Sequence, residues 1–233
     1  PITLTKAMAV SCNTTFAQLG LELGAERLVR QAEAFGLNHG WDFQLPLEPS
    51  RIPTQLDQPS TAQSAIGQRD VRVTPLQMAM IAGAIANDGV LVTPRVVDRV
   101  SDPAGRTIIA YDPQPLRLPG QLNAQALSPQ SAAILRELMV GVVDSGSGRN
   151  AAIPGVRVAG KTGTAQTGVN RAPTVWFVGV APAEDPQVAV AVVIEDGGDV
   201  GSEATGGRVA APVARAVMQA ALAQGRSDAE QRP

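Results

Sequence analysis

The chain has 233 residues, 44% hydrophobic and 17% charged, with a net charge of −2 from 19 basic and 21 acidic side chains. That length and apolar content support a real core and exclude disorder throughout, and the lack of a Lys/Arg-rich run excludes a nucleic-acid footprint. One cysteine (Cys12) and one histidine (His39) exclude a disulfide framework and the common zinc sets, and leave a Ser-His-Asp or Cys-His catalyst only if His39 were its base.

Thr3 caps a short helix over residues 4–10, which Ser11-Cys12-Asn13 breaks. A second helix is expected over 14–23, with Phe16, Leu19 and Leu23 on one face. A third is expected over 25–35, with Leu28, Ala32 and Phe35 inward, and Gly24 and Gly36 end the two. Residues 38–73 read as irregular, punctuated by Pro46, Pro49, Pro53 and Pro59. Thr74-Pro75 is an N-cap followed by proline, and the helix over 76–86 is apolar nearly all round, so it is expected to be buried. After the Asn87-Asp88-Gly89 turn, residues 90–100 and 107–111 read as two strands of a hairpin. Ser128-Pro129 starts another helix, with Leu135, Leu138, Met139 and Val142 on one stripe, and a Gly/Ser loop at 145–148 follows it. Three strands are expected over 156–164, 175–181 and 188–195. The last is apolar on both faces, which implies helices on both sides of the sheet, and the short links favour antiparallel pairing. A helix over 209–222 and a polar tail over 225–233 close the chain. The longest strongly apolar stretch, Val188–Ile194, has seven residues, against the roughly 20 that a membrane-spanning helix needs. The chain starts at Pro1 directly in a helical pattern and reads as a piece of a longer polypeptide.

Lys161-Thr162-Gly163-Thr164 is the sharpest local string. A lysine at the end of a strand costs free energy unless it meets a wet or anionic site. The threonines at i and i+2 share one side of the strand, and Gly163 lets another group approach the backbone. Together they suit a carboxylate, although an ordinary strand end with polar residues fits as well. Ser11-Cys12-Asn13 is by itself a normal pair of helix caps, or a hydroxyl and an amide aimed at one pocket. Cys12 reads as a small buried thiol, His39 as a surface histidine, and Trp176 and Phe177 as core residues, one of them flanking a cleft. The 166–173 link reads either as the lip of a cleft or as a plain loop. Asp196, Asp199 and Glu203 lack the spacing of a calcium loop, so no metal is expected.

Ser11-x-Asn13 and Lys161-Thr162-Gly163-Thr164 resemble the second and third motifs of the penicillin-binding proteins and serine β-lactamases. SCNTTFAQLG at 11–20, AIGQRDVRVTPLQMAMIAGAIANDG at 65–89 and IPGVRVAGKTGTAQ at 153–166 resemble the transpeptidase domain of class B, monofunctional penicillin-binding proteins. With ATGG at 204–207, the pattern is most similar to the actinobacterial penicillin-binding protein A type. The resemblance implies an α/β fold of the α+β kind: an antiparallel sheet covered by helices on both faces, over residues 1–224.

The implied activity is peptidoglycan D,D-transpeptidation through an acyl-serine. Ser11, Asn13, Lys161 and Thr164 would be catalytic, and Asn13, Thr162, Gly163 and Thr164 would bind substrate. The family's first motif, Ser-x-x-Lys, is absent: three residues before Lys6 stands Thr3, and before Lys161 stands Val158. The expectation is therefore a chain truncated ahead of Ser-x-Asn, without the first strands and the nucleophile helix, and inactive by itself. The rival readings are a D,D-carboxypeptidase or β-lactamase of the same fold, and a non-catalytic β-lactam-sensing domain. The resemblance also implies no cofactor, stem peptides and β-lactams as ligands, and cell-division proteins as partners. It places the whole protein on the extracytoplasmic face of the bacterial cell membrane, held there only by an anchor ahead of this chain.

Overall fold

The structure is a computed structural model that describes residues 2–168 and 171–230, with side chains through residue 225. In chain order it contains α1 (Leu4–Val10), α2 (Asn13–Leu23), α3 (Ala25–Ala34), α4 (Gln58–Ser64), α5 (Pro75–Ala86), β1 (Arg99–Ser101) and β2 (Thr107–Ala110). Then follow α6 (Pro129–Ser145), β3 (Ala159–Ala165), β4 (Thr174–Ala181), β5 (Val188–Ile194) and α7 (Ala211–Glu230). Helix starts are fixed by side chains that take the first free backbone N–H groups: Thr3 for α1, Asp57 for α4, Thr74 for α5 and Ser128 for α6.

The main sheet has the antiparallel order β3-β4-β5. One face carries Ala159 and Val180, which pack on Ala82 and Ile85 of α5 and on Met139 and Val140 of α6. The other face carries Val175 and Phe177, which pack on Ala211, Ala214 and Met218 of α7. Both faces are covered, as the apolar run of β5 requires. Gly160 makes room for the Phe177 ring: a Cβ there would lie 2.3 Å from its Cζ.

Several local expectations need correction. The 38–73 segment is not wholly irregular, because Asp57 caps α4 and Pro59 sits in its first turn, where its missing N–H costs nothing. Residues 90–100 do not form one strand. Val90 and Val92 make single bridges to Gln125 and Pro115, and only Arg99–Ser101 pairs as β1. Pro94 interrupts that run and has no N–H to give a ladder. In α2 the buried residue is Gly20, packed against Ala65, while Leu19 and Leu23 are exposed. The closing helix runs on to Glu230, past Gly225 and into the stretch expected as a polar tail, and 231–233 of that tail lie outside the described residues.

Candidate active site

Ser11 ends α1 in the left-handed region, at φ 55° and ψ 53°. Its place is set by α1 lying along α6, where the Ser147 N–H donates to the Ala9 carbonyl at 2.9 Å. A Cβ at Gly146 would lie 2.2 Å from that same carbonyl oxygen, so the two segments touch backbone to backbone. Asn13 follows as the exposed first residue of α2.

β3 brings Lys161 to this turn from 150 residues away: Lys161 Nζ donates to Ser11 Oγ at 2.7 Å and to the Thr162 carbonyl at 2.7 Å. Burial lowers the Lys161 pKa from 10.5 to about 8, because the charged ammonium loses water there. Thr162 is buried, and its hydroxyl bonds the Ser147 hydroxyl at 2.6 Å. The Gly206 N–H donates to Thr164 Oγ1 at 3.4 Å.

Among the described residues only β4 pairs with β3, which makes it an edge strand. The Thr162 carbonyl meets Lys161 and the Thr164 carbonyl accepts from Gln68 Nε2 at 3.0 Å, so both face the free edge. In an antiparallel ladder the N–H of such residues points the same way, so Thr162 and Thr164 offer that edge both a donor and an acceptor.

A cleft of about 530 Å³ lies here. Ser11, Asn13, Thr162, Gly163 and Thr164 line it together with the 146–150 and 205–208 segments. The structure thus brings the two sequence strings to one cavity. A second cleft, of about 540 Å³, adjoins β3 and is lined by Lys161, Trp176 and the loop around Gln68. Phe177 is fully buried and Trp176 flanks this second cleft, as read from the sequence. Of the 166–173 link, Gln166 and Thr167 line it too, and residues 169 and 170 lie outside the described residues.

Cys12 is only half-buried, which corrects its reading as a core thiol. The Thr14 hydroxyl and then the Thr15 hydroxyl, each 3.3 Å from Sγ, hold its pKa down to about 7. His39 is half-buried and lines neither cleft. Ser147, Gln68, Arg149 and Arg208 reach these two clefts and were not foreseen. A Gly/Ser loop and scattered surface residues give no local sign of a distant strand. Only the ATGG run marked the 205–208 wall.

A family profile described as the penicillin binding protein transpeptidase domain matches residues 1–219. The chain belongs to that family. It is 43% identical to the peptidoglycan D,D-transpeptidase PbpA of Mycolicibacterium smegmatis, over 96% of this chain and 45% of that protein. It is 41% identical to the PbpA of Mycobacterium tuberculosis, over 95% of this chain and 44% of that protein. Among solved structures it is similar to penicillin-binding protein A from M. tuberculosis as a ceftriaxone acyl-enzyme, with a TM-score of 0.84 and 41% identity over 95% of this chain and 48% of that one. The chain therefore spans about half the length of the relatives it matches.

As a chemical arrangement, the cleft holds a hydroxyl bonded to a cation, the exposed Asn13 amide, and strand-edge donors beside two further hydroxyls. Such a set suits an extended peptide with an anionic end.

Proposed function

We propose that residues 1–224 form the C-terminal part of a peptidoglycan D,D-transpeptidase domain, which cross-links stem peptides ending in D-Ala-D-Ala. The observation that carries this reading is the 2.7 Å contact of Lys161 with Ser11 beside the cleft that Asn13, Thr162, Gly163 and Thr164 line. The nucleophilic serine and its lysine lie upstream of this chain. That serine adds to the penultimate D-Ala carbonyl as its proton passes to the upstream lysine, the C–N bond breaks, and the terminal D-Ala leaves as an amine. Ser11 relays the proton to that leaving nitrogen, and Lys161 keeps the relay polarised. The amine of a second stem then attacks the acyl-serine, the ester C–O bond breaks, the serine regains its proton and the cross-link is formed.

In this reading the Asn13 amide holds the acyl-side amide of the stem, and the Thr162 and Thr164 hydroxyls bind the terminal carboxylate. Gly163 lets the peptide approach the strand. The Thr164 N–H supplies half of the oxyanion hole, where one donor is typically worth about 3 kcal/mol of barrier. The peptide itself adds to the β3 edge. β-Lactams are expected to trap the acyl-serine. The whole protein is expected to act on the extracytoplasmic face of the cell membrane, held by an upstream anchor and working with cell-division proteins.

The test is labelling of the full-length protein with a fluorescent penicillin, beside Ser11→Ala and Lys161→Ala. Both variants are expected to label far more slowly, and wild-type rates in both refute these roles for Ser11 and Lys161. Product analysis with two stem peptides separates a cross-linked product from simple hydrolysis.

A further inference from the structure

We propose that Arg149 and Arg208 form a carboxylate-recognising pair on the wall of the Ser11–Thr164 cleft. This deepens the transpeptidase reading and rests on it: the ligand is the anionic end of a peptide substrate. Among the described residues, no Asp or Glu side chain lines that cleft, while both arginines do. Among those same residues, neither guanidinium has an acidic partner or a side-chain hydrogen bond. Arg30, Arg69, Arg106 and Arg157 differ, since each lies against a carboxylate. The charge on this wall is therefore left uncompensated by the protein.

The two arginines stand on backbone that is already tied together. Arg149 opens a short turn, Arg149–Ala151, just after α6. Arg208 lies in the turn Gly206–Ala210, whose start Thr205 caps by accepting from the Arg208 N–H at 3.3 Å. Asn150, beside Arg149, donates Nδ2–H to the carbonyl of Gly207, beside Arg208, at 2.8 Å. Gly207 also passes so close to Ser147 that a Cβ there would lie 2.1 Å from the Ser147 carbonyl oxygen. The backbone of the wall is fixed without a ligand, so only the two exposed side chains have to be ordered when an anion arrives.

Lys161 does not replace the pair. Its ammonium is engaged by Ser11 and by the Thr162 carbonyl, and burial draws its pKa down towards neutrality. Arginine stays charged at any working pH and offers a planar fork that matches a carboxylate. Both arginines are exposed, so their effect falls on capture and its salt dependence more than on the chemical step.

Two readouts separate this proposal from the reading beneath it. Fluorescent-penicillin labelling of the wild-type full-length protein tests the transpeptidase reading alone. Equilibrium binding of a peptide ending in D-Ala-D-Ala, as the free acid and as the C-terminal amide, tests the arginines whether or not acylation occurs. The wild type is expected to prefer the acid, and the Arg149→Gln/Arg208→Gln double variant to lose about tenfold in acid affinity with the amide unchanged. The single variants are expected to fall between, and the acid's salt dependence to flatten. No preference for the acid in the wild type overturns the proposal. So does an unchanged double variant, or an equal loss of acid and amide in all three variants.

Discussion

Ser11 Oγ accepts a hydrogen bond from Lys161 Nζ at 2.7 Å, although 150 residues separate the two in the chain. The contact joins the turn after α1 to the edge strand β3, and it depends on Ser11 holding a left-handed backbone at φ 55°. A residue with a Cβ meets a cost of roughly 1–2 kcal/mol in that region. Glycine does not, so Ser11→Gly is expected to unfold at a higher temperature than Ser11→Ala, by a difference of about 1 kcal/mol. Both lose the hydroxyl, and both are expected to slow penicillin labelling of the full-length protein by about 100-fold. Equal thermal midpoints for the two variants would show that the turn carries no strain at Ser11.

Lys161 poses the opposite trade. Its pKa falls from 10.5 to about 8 because the folded protein buries the ammonium, so the folded state binds its proton less tightly than the unfolded chain does. The unfolded chain therefore carries more protons between those two values, and stability rises with pH across that window. Below it the burial opposes folding in full, by about 3 kcal/mol at most. Lys161→Met is expected to unfold at a higher temperature than wild type at pH 7, with the gap narrowing by pH 10. Its labelling is expected to be lost. Thermal melts of both proteins across that range check the sign, and a gap that widens with pH refutes it.

Gly206 tests how closely the cleft wall is packed. A Cβ there would lie 2.2 Å from the Trp176 carbonyl oxygen and 2.6 Å from that of Gly163. Both obstacles are backbone, so neither can rotate away. Gly206→Ala is expected to push the 205–208 wall off β3, to cost roughly 2 kcal/mol of stability and to weaken labelling as well. Gly201→Ala is the contrast: nothing lies within 4 Å of its Cβ, and only its φ of 63° opposes the change. A melt that leaves Gly206→Ala at the wild-type midpoint would mean that the wall moves freely.

Much of this site is legible in the sequence because its strings are local. Lys161 and the threonines form one strand end, Ser11 and Asn13 one helix break, and each carries its own cap or spacing signal. The three strands and their cover follow from the two-sided apolar run of β5. What is not legible comes from tertiary approach. Ser147 looks like any loop serine until α6 delivers it to Thr162. Pro59 marks a helix start only once Asp57 is seen to cap it. The leucines of α2 suggest an inward stripe, yet the helix seats itself on Gly20, because a small residue lets α4 come nearer.

Gln68 shows the same limit and yields the last expectation. Its side-chain amide donates to the Thr164 carbonyl at 3.0 Å, on the free edge of β3. A peptide that adds to this edge needs that carbonyl as an acceptor, so Gln68 holds a place that the substrate must take over. Exchanging one neutral hydrogen bond for another has a small net worth, about 1 kcal/mol. Gln68→Ala is therefore expected to strengthen binding of an extended D-Ala-D-Ala peptide by about fivefold, with no loss of stability beyond that one bond. Gln68→Glu is expected to weaken it, since a carboxylate beside the Thr164 carbonyl would also repel the peptide's anionic end. Weaker binding in Gln68→Ala would instead mean that the amide stays in place and contacts the substrate itself.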